Sequence, residues 1–179
     1  IEKFRSENTF PSPILFPDGK KILFRGKEKG HATRVYVQDI SGKEPYAITE
    51  EGVEHFPYNV SPDGKFFFGI AKDQKIYIFP IESGTPRPIA GISEGEIPFQ
   101  WSEDGRFVYI RNASLLPVEI SRLNPFNGER KLIKKWSPSD SAGVTTGGDV
   151  RMTPDEKNFV FSFSRALSNL YMVDGLGRR

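Results

Sequence analysis

Apolar residues along this chain come in short bursts, and each burst follows a polar turn of nearly constant composition. The turns are Phe16-Pro17-Asp18-Gly19-Lys20, Ser61-Pro62-Asp63-Gly64-Lys65, Ser102-Glu103-Asp104-Gly105-Arg106 and Thr153-Pro154-Asp155-Glu156-Lys157. The bursts behind them are Lys21 to Arg25 (KILFR), Phe66 to Ala71 (FFFGIA), Phe107 to Arg111 (FVYIR) and Phe159 to Ser164 (FVFSFS), rich in the aromatic and β-branched residues that favour strands. Asp can accept from a backbone N–H two residues on and Gly supplies positive φ, so each turn predicts a hairpin.

A second apolar run follows each burst after a polar loop: Val35 to Ile40, Ile76 to Ile81, Val118 to Leu123 and Leu170 to Val173. A third comes after a further Gly, at Pro45 to Thr49, Pro86 to Ala90 and Arg130 to Lys134. Upstream of the turns lie Ser12 to Phe16, Phe56 to Ser61, Ile97 to Ser102 and Val150 to Thr153. The turn Asp residues are 45, 41 and 51 positions apart, a period of propeller blades and not of helical solenoids. The expected fold is therefore all-β: a β-propeller of four four-stranded antiparallel blades, the last incomplete, forming one segment over 1–179. The blades fall at about 9–49, 55–90, 96–135 and 148–176. Runs such as Phe66-Phe67-Phe68 are apolar at successive positions, as needed where stacked blades cover both faces. No stretch carries a sustained helical stripe.

Composition narrows function mainly by exclusion. The 25 basic and 23 acidic residues give a net charge of +2, too balanced for a nucleic-acid stripe. There is no Cys, which removes disulfides, thiol catalysis and zinc ribbons. No apolar segment is long enough to span a bilayer as a helix, so membrane insertion is not expected. The chain starts at Ile1 and ends within a fourth blade, which reads as a piece of a larger propeller. The open edge at Leu170 to Val173 is expected to pair with Ile1 to Arg5, with a further segment, or with a second copy.

Motifs with chemical content are few. Gly91-Ile92-Ser93-Glu94-Gly95 matches G-x-S-x-G, but a strand follows it, and His31 and His55, the two His of the chain, both precede it; a nucleophile elbow requires the reverse of both. Two His 24 residues apart have no zinc-ligand spacing. Thr145-Thr146-Gly147-Gly148 lacks the Lys of a phosphate cradle and is expected to be a flexible loop. No catalytic residue, metal site or cofactor is expected.

The repeat of Ser-Pro-Asp-Gly-Lys, an aromatic strand, and a strand like Val35-Tyr36-Val37-Gln38-Asp39-Ile40 resembles the TolB-type, WD-like propeller repeat. Ser164 to Leu176 is similar to the carboxyl ends of propellers attached to bacterial serine/threonine kinases and winged-helix regulators. The resemblance implies a non-catalytic scaffold for protein interaction or ligand sensing in a larger bacterial protein. Its alternatives are the gate propeller of a prolyl oligopeptidase-like hydrolase, a propeller lyase, or a periplasmic TolB-like adaptor. It leans toward an extracytoplasmic location.

Propeller geometry then puts the Asp-Gly turns on one rim, and Gly26 to Arg34, Thr49 to His55, Ala71 to Lys75, Ala90 to Glu96, Asn112 to Leu116, Ser137 to Asp149 and Arg165 to Ser168 on the other. That second rim is where a protein or small-molecule partner is expected, because variable loops carry binding. Positions seven past each turn Asp are Arg25, Ile70, Arg111 and Ser162. Arg25 and Arg111 would either grip an anion or pair with Glu54, Glu96 or Asp149 of the next blade. His55 stands at the start of an innermost strand, as ligand or structural hydrogen-bonder. Arg25, His55, Glu96, Arg111, Asp149 and Arg165 form the candidate ligand set. The 13-residue stretch Ser137 to Asp149 is the longest connector.

Overall fold

A computed structural model describes residues 13–55, 60–112 and 116–168. Among these residues there are strands and turns but no helix. The first sheet comprises β1 (Ile14–Leu15), β2 (Lys21–Gly26), β3 (Arg34–Asp39) and β4 (Tyr46–Ala47). The second comprises β5 (Glu54–His55), β6 (Phe66–Ile70), β7 (Ile76–Pro80) and β8 (Arg87–Pro88). The third comprises β9 (Glu96–Trp101), β10 (Val108–Asn112), β11 (Val118–Leu123) and β12 (Arg130–Trp136), and the fourth pairs β13 (Val144–Met152) with β14 (Phe159–Arg165). Every pairing is antiparallel between sequence neighbours, which is the meander of a propeller blade. The expected strand at Leu170 to Val173, its partner at Ile1 to Arg5, and the beginning of the first blade lie outside the described residues.

The four turns share one hydrogen-bond scheme. The Asp carboxylate accepts from the amide two residues on: Lys20, Lys65, Arg106 and Lys157 donate at 2.9, 3.1, 3.0 and 3.1 Å. In three turns the leading hydroxyl locks the same carboxylate, as Ser61 and Ser102 do at 2.6 Å, with Thr153 in the third. Positive φ follows at Gly19, Gly64 and Gly105 (68° to 71°), and Glu156 adopts 59° in the fourth turn. A non-glycine residue there is disfavoured, and the Glu156 side chain shows what opposes that cost. Its carboxylate accepts from the Tyr109 hydroxyl at 2.7 Å and pairs with Arg122 at 3.0 Å, tying the fourth turn to the third sheet.

Three hydrophobic cores fill the three gaps between adjacent sheets. Because side chains alternate across a strand, consecutive residues of β6 serve different cores. Phe67 stacks on Phe79 at 5.1 Å and packs toward Leu23, Val35 and Val37 of the first sheet. Phe68 faces the other way and stacks on Trp101 of the third sheet at 4.6 Å. Likewise Val108 and Ile110 join the second core while Tyr109 joins the third. Burial of each such side chain contributes about 1.5–3 kcal/mol. The strand β14 departs from this pattern: Phe159 and Phe161 pack toward the third sheet, whereas Val160 is 71% exposed and Ser162 and Ser164 are exposed with it.

One expected loop is strand. Residues 144–149 belong to β13, so the connector between the third and fourth sheets is 137–143 and Asp149 sits within a strand. The glycines there serve close approach and not flexibility. A Cβ on Gly147 would lie 3.1 Å from Val118, one on Gly148 would collide with Ser162, and the ladder is bulged between Gly147 and Val150.

Candidate functional site

The loop rim gathers most of the sequence-nominated residues but joins them to one another or to near neighbours. Arg25, near the end of β2, reaches across the sheet boundary to Glu54 at the start of β5, with Nη1 and Oε2 3.0 Å apart. Arg111 occupies the equivalent place on β10. It is half-buried, which pulls its pKa below the usual arginine range, while the carboxylate of Asp149 in the next sheet acts in the opposite direction. Its guanidinium also donates to the Asn112 carbonyl at 3.1 Å. Both arginines thus interact with the acid of the following sheet.

Glu96 breaks the series because Ile70 stands where an arginine would reach it. Its carboxylate instead takes Arg130 at 2.7 Å and the Ser93 amide at 2.8 Å, clamping the loop 91–95. The G-x-S-x-G match is therefore a connector leading into β9, with Ile92 packed on the second core. Arg165 binds the Asp140 carboxylate at 3.0 Å and its carbonyl, closing the 137–143 connector onto the end of β14. His55 is placed in β5 opposite Gly69, and its ring lies outside the described residues. Among the described residues no group of three or more His, Asp or Glu could hold a metal ion.

A groove of about 940 Å³ between the first and second sheets, which the sequence did not single out, runs from the loop rim at Glu51 and Lys72 to the turn side at Glu82 and Gly84. The continuous run 46–51 forms one wall, and Tyr77, Phe79, Pro80 and Glu82 form much of the other. Val53 and Phe79 are buried at its floor and Tyr46 is 50% exposed at its lip. Glu51 is held within the rim: His31 Nδ1 lies 2.7 Å from it, the Ala32 amide 3.3 Å and Arg34 3.4 Å, contacts that keep its pKa below the ordinary carboxylate range. The Tyr77 hydroxyl donates to Asp73 at 3.1 Å, which raises the tyrosine's pKa. Lys72 lies across Gly52, joining the two rim loops at the groove's end.

Four antiparallel sheets stacked face to face, with ion pairs at the loop rim and a groove between the first two sheets, define a sector of a β-propeller. No family model matches the sequence and no curated protein matches it. Among solved structures, the chain is similar to TolB from Acinetobacter baumannii at 19% identity and a TM-score of 0.58, over 89% of this chain and 44% of that one. It is similar to an oligogalacturonate lyase from Vibrio parahaemolyticus at 17% identity and a TM-score of 0.62, over 91% of this chain and 48% of that one. A prolyl endopeptidase aligns at 13% identity and a TM-score of 0.56, over 86% of this chain and 26% of that one. The chain thus spans about half the length of the TolB and lyase structures. At these identities the shared property is the fold.

Proposed function

We propose that this chain is part of a larger TolB-like propeller that works as a non-catalytic binding module, engaging a protein partner on the loop rim, in an extracytoplasmic setting. One observation carries the reading. Arg25, Glu96 and Arg165 are all engaged by intramolecular partners, so these rim charges build structure, while open space is found in the groove that leads from the rim between the first two sheets. A module of this kind recognises by shape and edge rather than by a reactive constellation.

Photo-crosslinkers placed one at a time test it in the protein as expressed by its own gene. Positions Lys29 and Glu94 on the loop rim are expected to capture a protein partner, and Glu103 and Asp155 on the turn rim are not. Equal capture from both rims overturns the assignment. The alignment with a prolyl endopeptidase supports a second reading, in which the segment gates a hydrolase carried elsewhere in the polypeptide. That reading expects peptidase activity in the same full-length preparation.

A further inference from the structure

Among the described residues, the strand β4 is the outermost of the first sheet and pairs on one side, with β3. Its ladder shows which groups face outward. The Ile48 amide donates to the Val35 carbonyl at 2.9 Å, and the register pairs Ala47 with Tyr36 and Tyr46 with Val37. Hydrogen-bonded and non-hydrogen-bonded pairs alternate along an antiparallel ladder, so the N–H and C=O of Ala47 point away from the sheet. An unpaired edge of this kind is a template for another strand. It opens into the groove along the 46–51 wall, of which Tyr46–Ala47 is strand.

The charge of the groove differs from that of the chain. The lining carries the carboxylates of Glu50, Glu51, Asp73 and Glu82 against the cations Arg34 and Lys72, in a protein of net charge +2. Glu51 is engaged by His31 and Arg34 and Asp73 by Tyr77. Glu50 and Glu82 are exposed and have no ion pair or side-chain hydrogen bond among the described residues. A second copy of the chain pairing edge to edge would bring the same two carboxylates toward each other, which opposes self-pairing.

We propose that the outer edge of β4 and the groove beside it take an extended, basic peptide segment of a partner protein, added as a fifth strand of the first sheet. Main-chain bonds to Ala47 set the register. Apolar side chains at alternate positions of the segment settle over Val53 and Phe79, and Lys or Arg side chains at its two ends meet Glu50 on the loop side and Glu82 on the turn side. The proposal rests on the binding-module reading and names the class of its partner.

The test titrates the ¹⁵N-labelled protein, as its own gene encodes it, with the acetylated and amidated peptide Lys-Val-Thr-Val-Thr-Val-Lys, and with a counterpart carrying Glu for Lys. The expected result is amide shift changes confined to residues 46–51 and 77–84, with at least tenfold weaker binding of the acidic peptide. The same tenfold loss of the basic peptide is expected in the Glu50→Lys, Glu82→Lys double variant. Ala47→Pro, which removes the outward N–H at an edge position where proline is tolerated, is expected to abolish the shifts. Saturation with millimolar basic peptide without shifts, equal binding of the two peptides, or shifts elsewhere overturns the proposal. Should Ala47→Pro fail to fold, the charge-reversal variant decides alone. Crosslinks at Lys29 and Glu94 without peptide shifts sink this inference and leave the rim reading standing; the opposite pattern sinks the rim reading.

Discussion

Glu156 holds a backbone conformation that suits glycine, and its replacement by glycine sets two effects of comparable size against each other. Release of the left-handed conformation favours the variant by about 1 kcal/mol. Against this stands the hydroxyl of Tyr109, a residue 2% exposed, which would lose its acceptor. Its pKa is pushed far above the ordinary tyrosine range by burial and by that carboxylate. A hydrogen bond to a charged partner is worth about 1.5–3 kcal/mol, and the partly exposed Arg122 pair adds roughly 0.2–1 kcal/mol. Glu156→Gly is therefore expected to destabilise by about 1–3 kcal/mol, although it restores the residue found at the same place in the other three turns. In a Tyr109→Phe background the hydroxyl is gone, and the same substitution is expected to range from neutral to stabilising by about 0.8 kcal/mol, from the difference of the conformational and ion-pair terms. Urea denaturation read from tryptophan fluorescence measures both, since Trp136 stacks on Phe161 of β14 at 4.6 Å and reports on the fourth sheet. A stabilising effect of Glu156→Gly in the wild-type background, or additive effects of the two substitutions, would refute the reasoning.

The two faces of β6 make a paired prediction: Phe68→Ala and Phe67→Ala each cost about 3–5 kcal/mol, but only the first alters the near-ultraviolet circular dichroism of Trp101, its stacking partner. Gly148→Ala is expected to lower the urea midpoint clearly, because its new methyl meets Ser162; an unchanged midpoint would return residues 144–149 to the status of a loop. Acid should weaken the turns. The carboxylates of Asp104 and Asp155 are held below the usual range by the hydroxyls of Ser102 and Thr153; at Asp63 burial pushes upward but the Ser61 hydroxyl and Lys65 amide prevail. A depressed folded pKa contributes stability above the unfolded value of about 3.9 and loses it as pH falls through the folded value. The urea midpoint should therefore drop between pH 5 and pH 2, and Asp104→Ala should reduce that drop; an identical pH profile in the variant would exclude a role for the turn.

What could be read from sequence was whatever is local. The Asp-Gly turns carry their own hydrogen bonds within five residues, so the chain announced its repeat, its hairpins and the strands around them. The pairing of Arg25 with Glu54 was among the expected outcomes, since a fixed offset from the turn put an arginine at a strand end. Glu96 went to Arg130 instead, because Ile70 stands at the equivalent offset and the arginine that reaches it lies on β12 of its own sheet. The segment 144–149 was misjudged because glycines that allow close approach and glycines that allow flexibility look alike until Val118 and Ser162 are in place. The groove was invisible for the same reason: its walls come from the edge of one sheet and the flank of the next.

The division of β6 between two cores also bears on how the array comes apart. Phe67 and Phe68 are adjacent in sequence yet anchor opposite neighbours, so loss of the second sheet empties two interfaces together. Sheets that share cores in this way act as nearest-neighbour units, and the inner sheets should exchange their amide hydrogens as one cooperative block. Among the described residues the first and fourth sheets each share one core with the rest, and the second and third share two, so opening is expected to begin at the first or the fourth.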